Sequence, residues 1–324
     1  MNELKIESGE KMITIIVPCF NEENALPYFY GKVCEVLNHM GEDYEIIFVN
    51  DGSTDKTLEL IKMYASTNKK TIYISFSRNF GKEAAMYAGF CNAKGDYVTV
   101  MDADMQDPPE LLPEMLRIIK EEGYDNVATR RVSRSGEPIL RSWLARQFYK
   151  IINKISEADI VDGARDFRLM KKNMVDAIIE IEEYNRFSKG IFGWIGFKTY
   201  WMSFNNVERI AGKTKWDLCK LFKYAMDGVI NFSQAPLTLV SYLGMGITGL
   251  SLIILLSLVA RKLYFGDPVA GWASIVCIII FLGGIQLFSM GIMGQYIAKT
   301  YMESKHRPHY IIAETNCNTA LKVK

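Results

Sequence analysis

The chain of 324 residues has only three histidines and six cysteines, and neither kind is grouped. Cys19, Cys34, Cys91, Cys219, Cys277 and Cys317 contain no C-x-x-C pair. That spacing excludes a zinc ribbon and a disulfide framework, and it predicts free thiols in a reducing compartment. His39 falls in an outer helix and His306 and His309 in the tail, so no histidine is placed for nucleophilic catalysis. A G-x-x-x-x-G-K-[ST] loop is absent, which argues against an ATPase. Neither sign of charge dominates: 38 Lys and Arg against 37 Asp and Glu leave +1, a total that says nothing about nucleic acid, and no such partner is expected. The opening MNELKIESGEKM is polar and lacks an apolar h-region, so no cleavable leader is expected and the N-terminal domain is expected in the cytosol. Asn231-Phe232-Ser233 matches a glycosylation sequon, which that compartment makes a chance match. Charge is scarce over 237–298, although charged residues make up 23% of the chain. A soluble part joined to an apolar part is expected.

The soluble part alternates short apolar runs with amphipathic segments. Residues 13–17 (ITIIV), 44–49 (YEIIFV), 71–75 (TIYIS), 97–101 (YVTVM) and 126–129 are β-branched or aromatic with few charges. They fit strands buried on both faces of a parallel sheet. Helices are predicted between them at about 24–40, 55–67, 81–93 and 109–121; Asp55 suits an N-cap and Pro108-Pro109 a helix start. Strand-helix alternation predicts a doubly wound α/β, Rossmann-like domain, whose ligand lies at the carboxyl ends of the strands.

Residues 137–155 carry a stripe that includes Trp143, Leu144, Phe148 and Ile152, flanked by Arg141, Arg146, Lys150 and Lys154. The pattern fits a helix in the membrane interface or one facing a core. A second such segment runs over 215–232. Residues 237–260 and 272–298 are apolar runs that each exceed the ~20 residues needed to span a bilayer, and the short RKLYFGDPVAG between them predicts a hairpin. Lys213, Lys215, Lys220 and Lys223 before it, with Lys299, Lys305 and Arg307 after it, place both outer ends in the cytoplasm. Arg261 and Lys262 lie on the far side, where they can snorkel. The expected layout is a cytosolic domain over 1–212 with its interfacial helix at 137–155. A juxtamembrane amphipathic helix at 213–236, a transmembrane hairpin at 237–298 and a cytoplasmic tail at 299–324 follow. Gly244-Met245-Gly246-Ile247-Thr248-Gly249 matches G-x-G-x-x-G, but it sits inside an apolar span, where small residues suit helix packing.

The strand ends carry the chemistry. After the fourth strand the sequence reads Asp102-Ala103-Asp104-Met105-Gln106-Asp107-Pro108-Pro109. Two carboxylates one residue apart can reach one hard divalent cation, Mg2+ or Mn2+, which normally shares its shell with substrate phosphates. The second strand ends in Asn50-Asp51-Gly52-Ser53-Thr54-Asp55. There Asp51 can accept from a base or ribose, Gly52 allows close backbone approach, and Asp55 caps the next helix. The first strand ends in Pro18-Cys19-Phe20-Asn21-Glu22-Glu23. Arg78-Asn79-Phe80-Gly81-Lys82-Glu83 follows the third, with Arg78 and Lys82 able to meet a diphosphate.

These loops resemble the family-2 inverting glycosyltransferases, and most closely the polyprenyl-phosphate branch of bactoprenol glucosyltransferases and dolichyl-phosphate mannose synthases. VPCFNEE (17–23), NDGSTD (50–55), RNFGKEAA (78–85), DADMQDPPE (102–110), DFRLM (166–170) and the Lys213-Thr214-Lys215-Trp216 region carry the resemblance, which spans nearly the whole chain. Asn50 departs from the aspartate of many relatives. The resemblance implies a GT-A type domain that binds a nucleotide-sugar through Pro18, Glu22, Asp51, Lys82 and Asp102. It implies a metal at Asp102, Asp104 and Gln106, and a catalytic carboxylate at Asp166. It implies an acceptor phosphate among Arg131, Arg134, Arg209, Lys213 and Lys215. From the residues alone, Asp166 fits equally a strand-edge residue paired with Arg168. The expected reaction transfers glucose from UDP-glucose to undecaprenyl phosphate with inversion, at the cytoplasmic face of a bacterial membrane. UDP-N-acetylglucosamine and GDP-mannose are alternative donors, and a homo-oligomer, such as a tetramer, is implied. A processive polysaccharide synthase is disfavoured by the missing Q-x-x-R-W motif, and a non-catalytic scaffold by the intact Asp102, Asp104 and Gln106.

Overall fold

A computed structural model describes residues 11–131, 153–155, 161, 163–204, 228–265 and 272–317. Its centre is an eight-stranded sheet. β1 (Met12–Cys19), β2 (Asp43–Asn50), β3 (Thr71–Phe76), β4 (Tyr97–Val100) and β5 (Asn126–Arg131) lie within the five runs expected or extend them by a few residues. β6 (Ala164–Lys171), β7 (Thr199–Phe204) and β8 (Ile312–Thr315) complete the order β7-β5-β6-β4-β1-β2-β3-β8. β1 pairs in parallel with β2 and β4, β2 with β3 and β5 with β7, so the sheet is mostly parallel. β6 enters antiparallel between β4 and β5, which the alternating pattern did not foretell.

The central strands are apolar on both sides because both faces are covered. Ile13, Ile15, Val17, Ile46 and Phe48 pack with Phe29, Val33, Ile61, Leu112 and Met115, from α1 (Leu26–Met40), α2 (Thr57–Thr67) and α4 (Leu112–Glu122). Ile16, Ile47, Val49 and Val100 pack on the other face with Ala85, Met86, Val175 and Ile191. Those come from α3 (Lys82–Asn92), α5 (Lys172–Glu180) and α6 (Ser188–Trp194). Burial of such side chains stabilises by ~1.5–3 kcal/mol each, the main force holding the layers. Helix starts differ from expectation by one to three residues. α2 begins at Thr57 rather than Asp55, whose carboxylate instead accepts from Thr57 N at 3.0 Å and Glu23 N at 3.2 Å. A short 3-10 turn, Pro109–Leu111, precedes α4.

Two long helices follow, α7 (Ala235–Phe265, 31 residues) and α8 (Trp272–Ser304, 33 residues). Leu243, Ile253, Leu256, Ile279, Phe281, Leu287 and Phe288 are exposed on them. Phe281–Ser304 is long and apolar enough to cross a membrane. Among the described residues, and leaving aside the helix's own backbone, no heavy atom lies within 4 Å of a Cβ added at Gly244, Gly246 or Gly249. Within the segment expected as a tail, Ile312–Thr315 forms a strand: β8 pairs antiparallel with β3 at the sheet edge. Tyr310 stacks on Phe76 at 4.9 Å, and Ser77 N donates to Ile311 O at 2.9 Å. Of the predicted interfacial helix at 137–155 only 153–155 are described, and the juxtamembrane segment falls largely outside the described residues.

Candidate active site

The parallel order brings the loops after β1, β2, β3 and β4 to one edge, and side chains stitch them. Asn21, in the left-handed region at φ 54°, accepts from Thr54 N at 2.8 Å through Oδ1, while its own N–H donates to Ser53 Oγ at 3.0 Å. Glu22 N donates to Thr57 Oγ1 at 2.8 Å, and Pro18, partly exposed, pairs in register with Val49. Asn50 is buried; its amide donates to Ser75 Oγ at 2.9 Å and accepts from Ser53 N at 3.3 Å. An aspartate there would lack that donor.

Asp51 is buried and holds the next loop. Its carboxylate accepts from Phe80 N at 2.6 Å and Gly81 N at 2.9 Å. Burial raises its pKa above the usual carboxylate value, while these two N–H groups and Arg78 pull it down. Gly52, at φ 65°, lets the Arg78-Asn79 peptide approach, because a Cβ there would lie 2.5 Å from Arg78 C. The close approach expected of Gly52 is thus made by the chain's own backbone. Arg78 stacks over the Phe80 ring at 4.1 Å.

Past β4, Asp104 Oδ1 accepts from Gln106 N at 3.1 Å, and Met105 between them takes φ 60°. A non-glycine residue in that region costs about 1–3 kcal/mol and persists only where its surroundings hold it. Met105 packs on the core, and Asp107 supplies the second anchor. Asp107 is buried, accepts from Arg165 Nε at 2.9 Å, and receives Asp102 N at 3.4 Å. Burial pushes its pKa up to about 6 against the pull of Arg165, with Asp102 adding to the rise.

Antiparallel β6 explains how Asp166 joins this edge. Thr99 of β4 pairs with Leu169, so the start of β6 lies beside the end of β4. Arg165 falls on the α1/α4 side and reaches Asp107; Asp166 and Arg168 fall on the α3/α6 side. Lys82, the first residue of α3, bridges two predicted site residues. Its Nζ lies 2.8 Å from Asp102 Oδ1, 3.0 Å from Asp102 Oδ2 and 2.6 Å from Asp166 Oδ2. Burial works against the Lys82 ammonium, but the two carboxylates hold its pKa well above the usual lysine range. Burial likewise disfavours the Asp166 carboxylate, yet Lys82, Lys189 and Arg168 hold its pKa well below the usual range. Arg168 is buried, sits 3.7 Å from the Phe192 ring, and is pushed down to about 10 by burial despite Asp166.

The match to known proteins follows these loops. Residues 14–179, from β1 into α5, match the family model described as glycosyl transferase family 2. The chain belongs to glycosyl transferase family 2. This transferase is 46% identical to the glycosyltransferase CsbB of Bacillus subtilis strain 168, over 94% of this chain and 92% of that one. It is 41% identical to the bactoprenol glucosyl transferase of Shigella phage SfV, over 93% of this chain and 97% of the relative. With the prophage bactoprenol glucosyl transferase homolog of Escherichia coli K12 it shares 40%, over 93% and 98%. Among solved structures, glucosyl-3-phosphoglycerate synthase from Mycobacterium tuberculosis aligns at TM-score 0.47 and 15% identity, over 68% of this chain and 76% of that one. The α/β domain is GT-A-like, with the mostly parallel sheet expected.

Within the glycosyltransferase, Asp51, Lys82, Asp102, Asp104, Gln106 and Asp166 gather at one end of the sheet, with Pro18 near the end of β1 and Glu22 in the loop after it. Arg131 ends β5 and donates its N–H to Gly163 O at 3.1 Å. Arg134, Arg209, Lys213 and Lys215 lie outside the described residues. Sequence reasoning missed the Asp107–Arg165 pair, although Asp107 stands in the quoted motif and Arg165 beside Asp166. It also set aside His309. That ring lies 4.8 Å from Tyr87 and, with Tyr184, Asn185, Arg186 and the Arg78–Gly81 loop, lines a cavity of about 280 Å3. No local pattern announces that contact, because it depends on β8 docking beside β3.

Proposed function

We propose that this glycosyltransferase moves glucose from UDP-glucose to undecaprenyl phosphate at the cytoplasmic face of the membrane, inverting the anomeric centre. The observation that carries the reading is the extent of the likeness. Identity of 41% to a bactoprenol glucosyl transferase runs over 93% of the chain, apolar helices included. UDP-N-acetylglucosamine and GDP-mannose are the alternative donors.

In this reading Pro18, Glu22 and Asp51 frame the nucleotide, and Lys82 serves the diphosphate. Among the described residues no three of His, Cys, Asp and Glu are grouped to hold a metal by themselves. Asp102, Asp104 and Gln106 offer only hard oxygen donors, two of them carboxylates. Such a set fits Mg2+ or Mn2+ that keeps positions for phosphate oxygens and water. When bound, the ion would stabilise charge on the departing diphosphate. The acceptor phosphate is already an anion and needs placement rather than deprotonation. Asp166, held ionised by its cationic neighbours, is therefore assigned to positioning Lys82 and the acceptor instead of taking a proton. Arg131, Arg134, Arg209, Lys213 and Lys215 are proposed to gather the acceptor phosphate.

The membrane placement draws on the same structure. Glu303, near the end of α8, accepts from Tyr184 N at 3.0 Å and Asn185 N at 3.1 Å. Asn231 donates to Asn185 O at 2.6 Å, and Lys299 donates to Asn231 Oδ1 at 2.7 Å. With β8 in the catalytic sheet, the chain enters α7 and leaves α8 on the same side, which supports a hairpin over 237–298 and a multi-pass arrangement. The cytosolic domain, juxtamembrane segment and hairpin keep the boundaries given above, but residues 309–317 of the tail pack on the domain. Assembly as a homo-oligomer, such as a tetramer, is part of the proposal.

The test is incubation of the purified full chain with Mg2+ or Mn2+, labelled UDP-glucose and undecaprenyl phosphate. A lipid-linked monosaccharide is expected; long polymer, or no turnover with any donor in a screen by product mass, overturns the reading. A reporter fused after Lys324 should be cytoplasmic, and an external signal refutes the hairpin.

A further inference from the structure

Lys82 stands astride both oxygens of Asp102, at 2.8 and 3.0 Å, while also 2.6 Å from Asp166. A divalent cation on Asp102 needs those same oxygens. Magnesium takes oxygen ligands at about 2.0–2.1 Å, so an ion that used both Asp102 oxygens would occupy the place the ammonium holds. Repulsion between a dication and a monocation on one carboxylate is large even with generous screening. Lys82 also begins an 11-residue helix, where the helix dipole disfavours a positive charge and favours an anion. Its place there is held by the two carboxylates, and a diphosphate at the same helix start could hold it instead.

We propose that Lys82 and the divalent cation compete for Asp102, so that the ion binds tightly only together with the diphosphate that takes over the displaced ammonium. Asp166 retains its contact and keeps Lys82 within reach while the exchange occurs. Lys82 is thereby a positioning residue that sets the order of loading. Cation and donor bind tightly as a pair, and a cation alone binds weakly. The inference rests on the metal assignment in the proposed function.

The experiment titrates Mn2+ into the purified full chain and follows free Mn2+ by electron paramagnetic resonance, with and without UDP. Wild-type protein should take up Mn2+ weakly alone and much more tightly with UDP. In Lys82→Met and Lys82→Gln, uptake without UDP should tighten by about tenfold or more, and the enhancement by UDP should shrink correspondingly. Circular dichroism and thermal melting verify that each variant is folded, and two replacements guard against failure of one. Equal or weaker Mn2+ uptake by both folded variants without UDP overturns the competition, as does tight uptake by wild type that UDP leaves unchanged. Absence of uptake by wild type even with UDP overturns the metal assignment itself, and the competition with it.

Discussion

Gly52→Ala tests how the donor loop is held. The added methyl would lie 2.5 Å from Arg78 C, 2.6 Å from Asn79 N and 2.9 Å from Arg78 Cα, all backbone atoms that no rotamer change can move. The residue also keeps φ 65°, which costs a non-glycine about 1–2 kcal/mol. Relief requires the 78–79 peptide to withdraw, and that strains the bonds from Phe80 N and Gly81 N to Asp51 at 2.6 and 2.9 Å. Hydrogen bonds to a charged group contribute about 1.5–3 kcal/mol each, so partial loss brings the total to roughly 2–4 kcal/mol. The expected result is a melting temperature lower by roughly 5–10 °C, with UDP affinity reduced by about tenfold or more. Thermal melting and calorimetric UDP titration in detergent provide the readouts. Gly31→Ala is the control: Gly31 lies inside α1 with nothing within 4 Å of an added Cβ. Alanine there should be neutral or stabilising by up to about 1 kcal/mol. If the two variants melt and bind alike, close approach at Gly52 does not hold the loop.

Asp104→Asn should abolish transfer while leaving the melting temperature and membrane insertion as in wild type; residual turnover near the wild-type rate counts against the metal assignment. The Glu83 carboxyl accepts from Ser188 N at 3.1 Å, and burial raises its pKa from 4.5. A raised carboxyl stabilises the fold while protonated and loses that contribution as pH climbs through its folded value. Melting temperature should therefore drop with rising pH just above 4.5 through this group, and Glu83→Gln should flatten that slope; an unchanged slope contradicts the assignment. Glu303→Ala strips the partner from Tyr184 N and Asn185 N, both partly buried, at about 1 kcal/mol in all. Cleavage near 184–185 in limited proteolysis should quicken while insertion stays normal, and equal cleavage rates speak against the anchor.

The first half of the fold was legible because its strands are uninterrupted apolar runs with amphipathic helices between. The place of Asp102 and Asp104 just past the end of a strand was legible as well. What was not legible depends on long-range pairing. β6, with the sequence ARDFRLMK, carries three cations and one acid, so its apolar face is masked from a periodicity reading. Only its antiparallel register beside β4 brings Asp166 to Asp102. Lys82 was read as a diphosphate ligand; its bridge between the two acids needs α3, β4 and β6 together. β8, with the sequence IAET, is as short as β4 but lacks the β-branched and aromatic run of YVTV, and it pairs with a strand more than 200 positions away.

That last strand has a consequence for biogenesis. Ile312–Thr315 is translated after both apolar helices, yet it completes the edge of β3. The catalytic sheet therefore cannot close while the nascent chain is still threading its helices. Until then β3 presents open backbone groups of the kind that recruit foreign strands. The order of synthesis thus couples completion of the transferase to completion of its two long apolar helices, and a ribosome stalled anywhere before residue 312 leaves a sheet with an unprotected border.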